Sequence, residues 1–115
     1  NLAAREDHIA PPRSVFNGAK YFGGAMRYVL SGSGHIAGVV NPVSKPKYQF
    51  WTNPDLSGEY EDWIARATET PGTWWTDWID WLTSQAPAQV PARQPGDGKL
   101  KPLCDAPGTY VLEKA

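Results

Sequence analysis

The sequence predicts an α/β fold, on three observations. A helix-spaced apolar face over Arg13–Phe22 is followed at once by a β-rich run, Ala25–Leu30. A second helical block, dense in tryptophan, lies between residues 59 and 85. Eleven prolines and eleven glycines in 115 residues divide the chain into short elements joined by many turns.

In "RSVFNGAKYF", Val15, Phe16, Ala19 and Phe22 share one helical face, with Ser14 as the expected N-cap and Gly23-Gly24 as the stop. Pro11 and Pro12 are expected to end the opening segment, "NLAAREDHIAPP", which shows no leading apolar strand or capped helix. That start, on Asn1, leads to the expectation of a piece cut from a longer chain. "AMRYVL" is bounded by glycines and reads as a strand. The stretch from Pro42 to Pro54 is irregular apart from an extended piece at "YQFW".

"EYEDWIARATE", Glu59–Glu69, is a helix with Tyr60, Trp63, Ile64 and Ala67 on one side, broken by Pro71-Gly72. "TWWTDWIDWLTSQ" is a second, with Thr73 at the N-cap and Asp77 near the positive end of the helix dipole. From Ala86 to Lys101 the chain has no periodicity and reads as an extended tail, and "PGTYVLEK" reads as a terminal strand. The organisation is thus 1–42 (acidic loop, helix, strand, histidine loop), 43–85 (Trp-rich helical segment) and 86–115 (extended tail).

The formal net charge of −1 gives no electrostatic reason to expect nucleic acid or an anionic membrane surface as partner. The longest apolar-leaning run is far too short for a membrane span. The single cysteine, Cys104, excludes a disulfide framework within the chain, and no Cys/His spacing suggests zinc or another metal. A reducing, cytoplasmic setting is the default.

Three polar residues invite chemistry: Asp7 and His8 in "REDHIAPP", and His35 in "SGSGHIAGVVNP". Asp7 and His35 are 28 residues apart, room for one loop, one short helix and one strand. In α/β-hydrolases the acid and the histidine follow successive sheet strands and meet at one edge of the sheet. An acid that accepts from one imidazole nitrogen sets the tautomer and frees the other to take a proton from a nucleophile. The blander reading, a turn histidine without function, stays open on spacing alone. His8 either bonds within its own turn or lines the same pocket. Gly32, Gly34 and Gly38 read as room for the loop and for a substrate approaching His35.

No Gly-x-Ser-x-Gly elbow or cysteine counterpart is present. Ser31 and Ser33 are too close to His35 in the chain, and Cys104 sits in the irregular tail, so a nucleophile is expected upstream. Five of the six tryptophans fall between Trp63 and Trp81. They form either core and an intramolecular interface or an exposed platform for a polymer, sugar or lipid. Burying Trp78, Trp81 and Leu82 would contribute on the order of 5 kcal/mol, which asks for a partner surface.

In order along the chain, "LAAREDHIAP", "SGSGHIAGVVNP", "WTN", "GTWWTDWIDWL" and "APGTYVLEKA" resemble the C-terminal portion of class I poly(3-hydroxyalkanoate) synthases. The resemblance covers nearly the whole chain and rests on a Gly-His-Ile-Ala-Gly run combined with a Trp-Trp helix. It implies the last strands and helices of an α/β-hydrolase fold. It also implies an acyltransferase that polymerises (R)-3-hydroxyacyl-CoA onto a growing polyester chain with release of coenzyme A. Coenzyme A then belongs to the substrate, and no separate cofactor is called for.

By the same resemblance Asp7 is the catalytic aspartate, His35 the catalytic histidine, and His8 a residue near the substrate entrance. A cysteine nucleophile would lie in an upstream part of the catalytic domain. Asp7 either orients His35 or helps activate the substrate hydroxyl. Where the family often has tryptophan after the "HIxP" turn, this chain has Pro12. The full-length enzyme is expected to be a cytoplasmic homodimer associated with polyester granules, and the 115 residues alone inactive. Two other readings compete: part of an esterase or depolymerase with a serine elbow upstream, or a Trp-rich module that binds polymer granules without catalysis.

Overall fold

The computed structural model, which describes residues 1–114, begins with a strand that the sequence pattern does not announce: β1, Leu2–Ala4. Three residues are too few to show alternation, so the strand exists because of what it pairs with. It runs parallel to β2, Val29–Ser31, with Ala3 opposite Leu30 and Ala4 opposite Ser31. The strand expected over Ala25–Leu30 is therefore shorter and displaced toward its C-terminal end.

Between β1 and β2 lies helix α1, Pro12–Ala19. It starts before Ser14: Pro12 takes the first helical position, where its missing N–H costs nothing and its fixed φ suits the turn. The prolines open the helix as well as closing the segment before it. After Ala19 the chain continues in single turns closed by Lys20 N, Tyr21 N and Phe22 N, each donating three residues back. Phe22 is 63% exposed and has left the apolar face expected for it.

Strand β3, Gln49–Thr52, pairs antiparallel with β2, and β4, Thr68–Pro71, pairs antiparallel with β3. The sheet order is β1-β2-β3-β4, so the architecture is a mixed four-stranded sheet with helices, an α/β fold. Helix α2, Tyr60–Ala65, stops well short of the expected Glu69. Thr68 and Thr70 are β-branched, and pairing with β3 takes Thr68 and Glu69 out of the expected helix and extends the strand to Pro71. Glu69 stands opposite Trp51 and accepts a hydrogen bond from its indole Nε1 at 3.0 Å.

Helix α3 spans Trp75–Gln85, with Trp74 rather than Thr73 at the capping position. The Thr73 hydroxyl still accepts from Trp75 N at 3.1 Å, satisfying one of the free amides of the first turn. From residue 86 the tail is irregular apart from one 3-10 turn, Tyr110–Leu112, where a terminal strand was expected. Ala115 lies outside the described residues.

Register dictates the core. Ala3, Leu30 and Trp51 stand opposite one another on successive strands and so share one face of the sheet. They pack with Phe16 of α1, Tyr28 and Trp63 of α2. The Tyr28 ring meets Trp63 edge-on at 4.8 Å and Phe16 at 5.2 Å, an arrangement favoured by the ring quadrupoles. The polar ends of these rings are satisfied: Tyr28 Oη donates to Pro12 O at 3.0 Å and Trp63 Nε1 to Asn53 O at 3.1 Å.

On the opposite side, α3 and the Ala25–Arg27 segment border an apolar cavity of about 450 Å³ lined by Leu2, Val29, Trp74, Trp78 and Trp81. The Arg27–Asp77 ion pair closes one part of it. Helix α3 has no fully buried residue; Trp78, Ile79, Trp81 and Leu82 are between 42% and 46% exposed. No helix among the described residues is long and apolar enough to cross a membrane.

Trp63 is fully buried at the meeting point of sheet, α1 and α2. Trp63→Ala is expected to destabilise this core by about 3–5 kcal/mol, read by chemical denaturation. A loss below about 1 kcal/mol would show that the aromatic cluster does not hold the helices to the sheet.

Candidate active site

Parallel pairing sends β1 and β2 out of the sheet at the same edge, and the ladder carries on past the last strand residues. Arg5 N donates to Ser31 O at 2.8 Å and Glu6 N to Ser33 O at 3.0 Å. Ser33 adopts a positive φ of 68°, which turns its carbonyl toward Glu6 and starts the histidine loop. Asp7 and His35 therefore leave the sheet side by side. His35 Nδ1 and Asp7 Oδ2 lie 2.7 Å apart.

The Asp7 carboxylate is held from several directions. Its Oδ1 accepts from Ile9 N at 2.8 Å and Ala10 N at 3.0 Å, while Oδ2 faces the imidazole. The Ala10 amide first, then the His35 ring and the Ile9 amide, lower its pKa to about 2 against the smaller opposing effect of partial burial. The Asp7 side chain is only 6% exposed, whereas that of His35 is 47% exposed. An ionised carboxylate can only accept, so Nδ1 carries the hydrogen. In the neutral ring that leaves Nε2 with the lone pair, on a side chain open to a reacting group.

The loop that carries His35 folds back in one helical turn. Gly38 N donates to Gly34 O at 2.9 Å and Val40 N to Ile36 O at 2.8 Å. Gly38 is required by this turn: a Cβ there would come within 2.3 Å of Gly32 O. A Cβ on Gly32 would stand 3.0 Å from Gln49 O of β3. These two glycines make room for the loop's own backbone, one of the two uses the sequence suggested for them.

His8 is exposed on the turn after Asp7, and the hydrogen bonds of the Asp7 carboxylate go to Ile9, Ala10 and His35 instead. Ser31 is buried, and its hydroxyl donates to Ala3 O at 3.2 Å. Cys104 is exposed and unpaired in the tail. Among the described residues no group of three or more His, Cys, Asp or Glu side chains is arranged to hold a metal ion.

The sequence did not reveal what supports the loop's far end. Val39 O accepts from both Trp74 Nε1, at 3.0 Å, and Trp75 Nε1, at 2.9 Å. Thr73 donates to Asn41 O, and Asn41 in turn bonds the Lys47 backbone through both its amide atoms. The available signal was the adjacent tryptophan pair, since a partly buried indole N–H needs an acceptor.

As an acid–base unit, the pair offers an oriented imidazole backed by a carboxylate that stays ionised. The folded Asp7 carboxyl releases its proton more readily than the unfolded one, whose value is about 3.9. Its ionised form thus favours the folded chain above about pH 4, a contribution that fades as the pH falls through about 2. A carbon-detected NMR titration should place the Asp7 midpoint near 2; a midpoint near 4 would mean that these hydrogen bonds do not persist in solution.

No family model matches the chain. Its homologues, at 37% to 60% identity, are poly(3-hydroxyalkanoate) polymerases. It is 60% identical over 116 aligned positions to a poly(3-hydroxyalkanoate) polymerase of Methylorubrum extorquens, covering 100% of this chain and 19% of that protein. It is 54% identical to the poly(3-hydroxyalkanoate) polymerase subunit PhaC of Rhizobium etli, over 99% of this chain and 18% of the relative. With the corresponding subunit of Cupriavidus necator the identity is 42%, over 97% of this chain and 19% of the relative. The chain spans about a fifth of the length of the curated relatives it matches.

Proposed function

We propose that this chain is the C-terminal, histidine-bearing part of a class I poly(3-hydroxyalkanoate) synthase built on the α/β-hydrolase plan. The observation that carries this reading is the 2.7 Å Asp7–His35 pair at the edge of a parallel strand pair. The homology to polyester polymerases across the chain supports it. In this reading His35 Nε2 takes the proton of a cysteine thiol contributed by chain outside these residues. The thiolate attacks the carbonyl of an (R)-3-hydroxyacyl-CoA, the carbon–sulfur bond to coenzyme A breaks, and the proton leaves on the departing thiol. A thioester for a thioester is a nearly balanced exchange, which suits a sulfur nucleophile.

The same imidazole then serves the next bond. It accepts the proton of a hydroxyl as that oxygen attacks an acyl thioester, and it returns the proton to the released sulfur. The ester formed lengthens the polymer by one unit. Asp7 keeps the tautomer in which Nε2 is the base throughout, and its low pKa keeps it an acceptor at every working pH. His8, exposed next to Asp7, lies near the substrate entrance. The half-exposed Trp78–Trp81–Leu82 face of α3 is an interface to the remainder of the polymerase, which works as a cytoplasmic, granule-associated homodimer.

In the full-length enzyme, His35→Gln should lower coenzyme A release from (R)-3-hydroxybutyryl-CoA at least about a hundredfold. A near-normal rate would remove His35 as general base. The 115 residues alone should show no turnover of that thioester. Measurable polymerisation by them would place a nucleophile inside this chain and sink the reading.

A further inference from the structure

We propose that Trp74 and Trp75 are positioning residues for His35, acting through the Val39 carbonyl; this inference rests on the reading of His35 as the base. Val39 O has two lone pairs, and the two indoles occupy both, at 3.0 and 2.9 Å. The loop from Gly34 to Val40 has little packing of its own: Ile36 is 72% exposed and Val40 62%. Its position is therefore set by hydrogen bonds at its two ends. At the front, Glu6 N holds Ser33 O and Asp7 holds the His35 ring. At the back, the two indoles hold Val39.

The two ends are joined by the single turn in which Gly38 N bonds Gly34 O and Val40 N bonds Ile36 O. A shift of Val39 is passed through that turn to the residue after Gly34, which is His35. The tryptophans are themselves fixed, because Trp75 N donates to the buried Thr73 hydroxyl and Thr73 donates to Asn41 O. The Trp74 and Trp75 rings meet nearly edge-on, at 80°. Helix α3 thus has two tasks along its length: its first turn aligns the histidine loop, and its later tryptophans line the apolar cavity.

The test removes the N–H while keeping an aromatic ring. Trp74→Phe, Trp75→Phe and the double variant are made in the full-length enzyme, with (R)-3-hydroxybutyryl-CoA as substrate. The double variant should lose at least about tenfold in kcat with KM little changed, since a misaligned base impairs the chemical step rather than binding. Each single variant should lose less, because the other indole still donates to Val39. With the base misaligned, the pH profile of kcat/KM should differ from that of the wild type, an effect that lost folding alone would not produce.

Trp78→Phe is the comparator for ring volume, since Val39 O accepts from the Trp74 and Trp75 indoles and not from that of Trp78, and its loss of kcat should be smaller than that of either single variant. A double variant with wild-type kcat and pH profile would overturn the proposal. So would equal losses in Trp78→Phe and the Trp74 and Trp75 single variants, which would point to ring volume instead of the N–H. If the double variant fails to fold, the single variants' kcat and pH profiles decide. His35→Gln separates the two levels: near-normal activity there defeats the base itself, whereas a large loss there with an unaffected double variant defeats only the tryptophan clamp.

Discussion

The parallel register between β1 and β2 is the constraint on which the site depends. With Ala4 opposite Ser31, the bonds Arg5 N–Ser31 O and Glu6 N–Ser33 O follow, and the acid and the histidine emerge as neighbours. A slip of one residue would move Asp7 about 3.3 Å along the strand and turn its neighbours to the other face. What resists the slip is the core. Ala3, Leu30 and Trp51 share a face packed by Phe16, Tyr28 and Trp63, and a shifted β1 would turn Ala3 away from that cluster. The aromatic cluster serves the site by holding a register.

Within that frame the electrostatics are local. The amides that hold down the Asp7 carboxyl belong to the turn leading into α1, where Pro11 and Pro12 direct the chain into the helix. The Ala10 amide first, then the His35 ring and the Ile9 amide, therefore keep the acid ionised and acceptor-only. The tautomer of His35 follows from that, and so does the availability of Nε2. The ring is half-exposed, as the proposed role of base requires.

Helix α3 ties the histidine loop to the rest of the chain while leaving much of its own apolar surface partly open. Its first turn is consumed by hydrogen bonds to Val39 and Asn41, through Trp74, Trp75 and Thr73. Further along, Trp78, Ile79, Trp81 and Leu82 stay more than two-fifths exposed. The relatives are about five times longer than this chain, and an apolar face of that kind matches the interface proposed for it.

The sequence by itself determined the α/β alternation, the existence of the α3 helix and the irregular stretch from residue 86 to 101, all of which rest on local periodicity and on proline and glycine breaks. The amount of chain between Asp7 and His35 allowed a pair but left a turn histidine open, and only the fold brings the two to 2.7 Å. Only the tertiary structure decided that Leu2–Ala4 is a strand, that Thr68–Pro71 is another and takes the end of the expected helix with it, and that Ala25–Tyr28 stays out of the sheet. Strands of three or four residues carry too little alternation to be read, and they form only where a partner offers matching N–H and C=O groups. The roles of Gly32, Gly38, Trp74 and Trp75 were hidden for a related reason. Each depends on a main-chain carbonyl, at Gln49, Gly32 or Val39, and carbonyls are common to every residue until the fold brings one within reach.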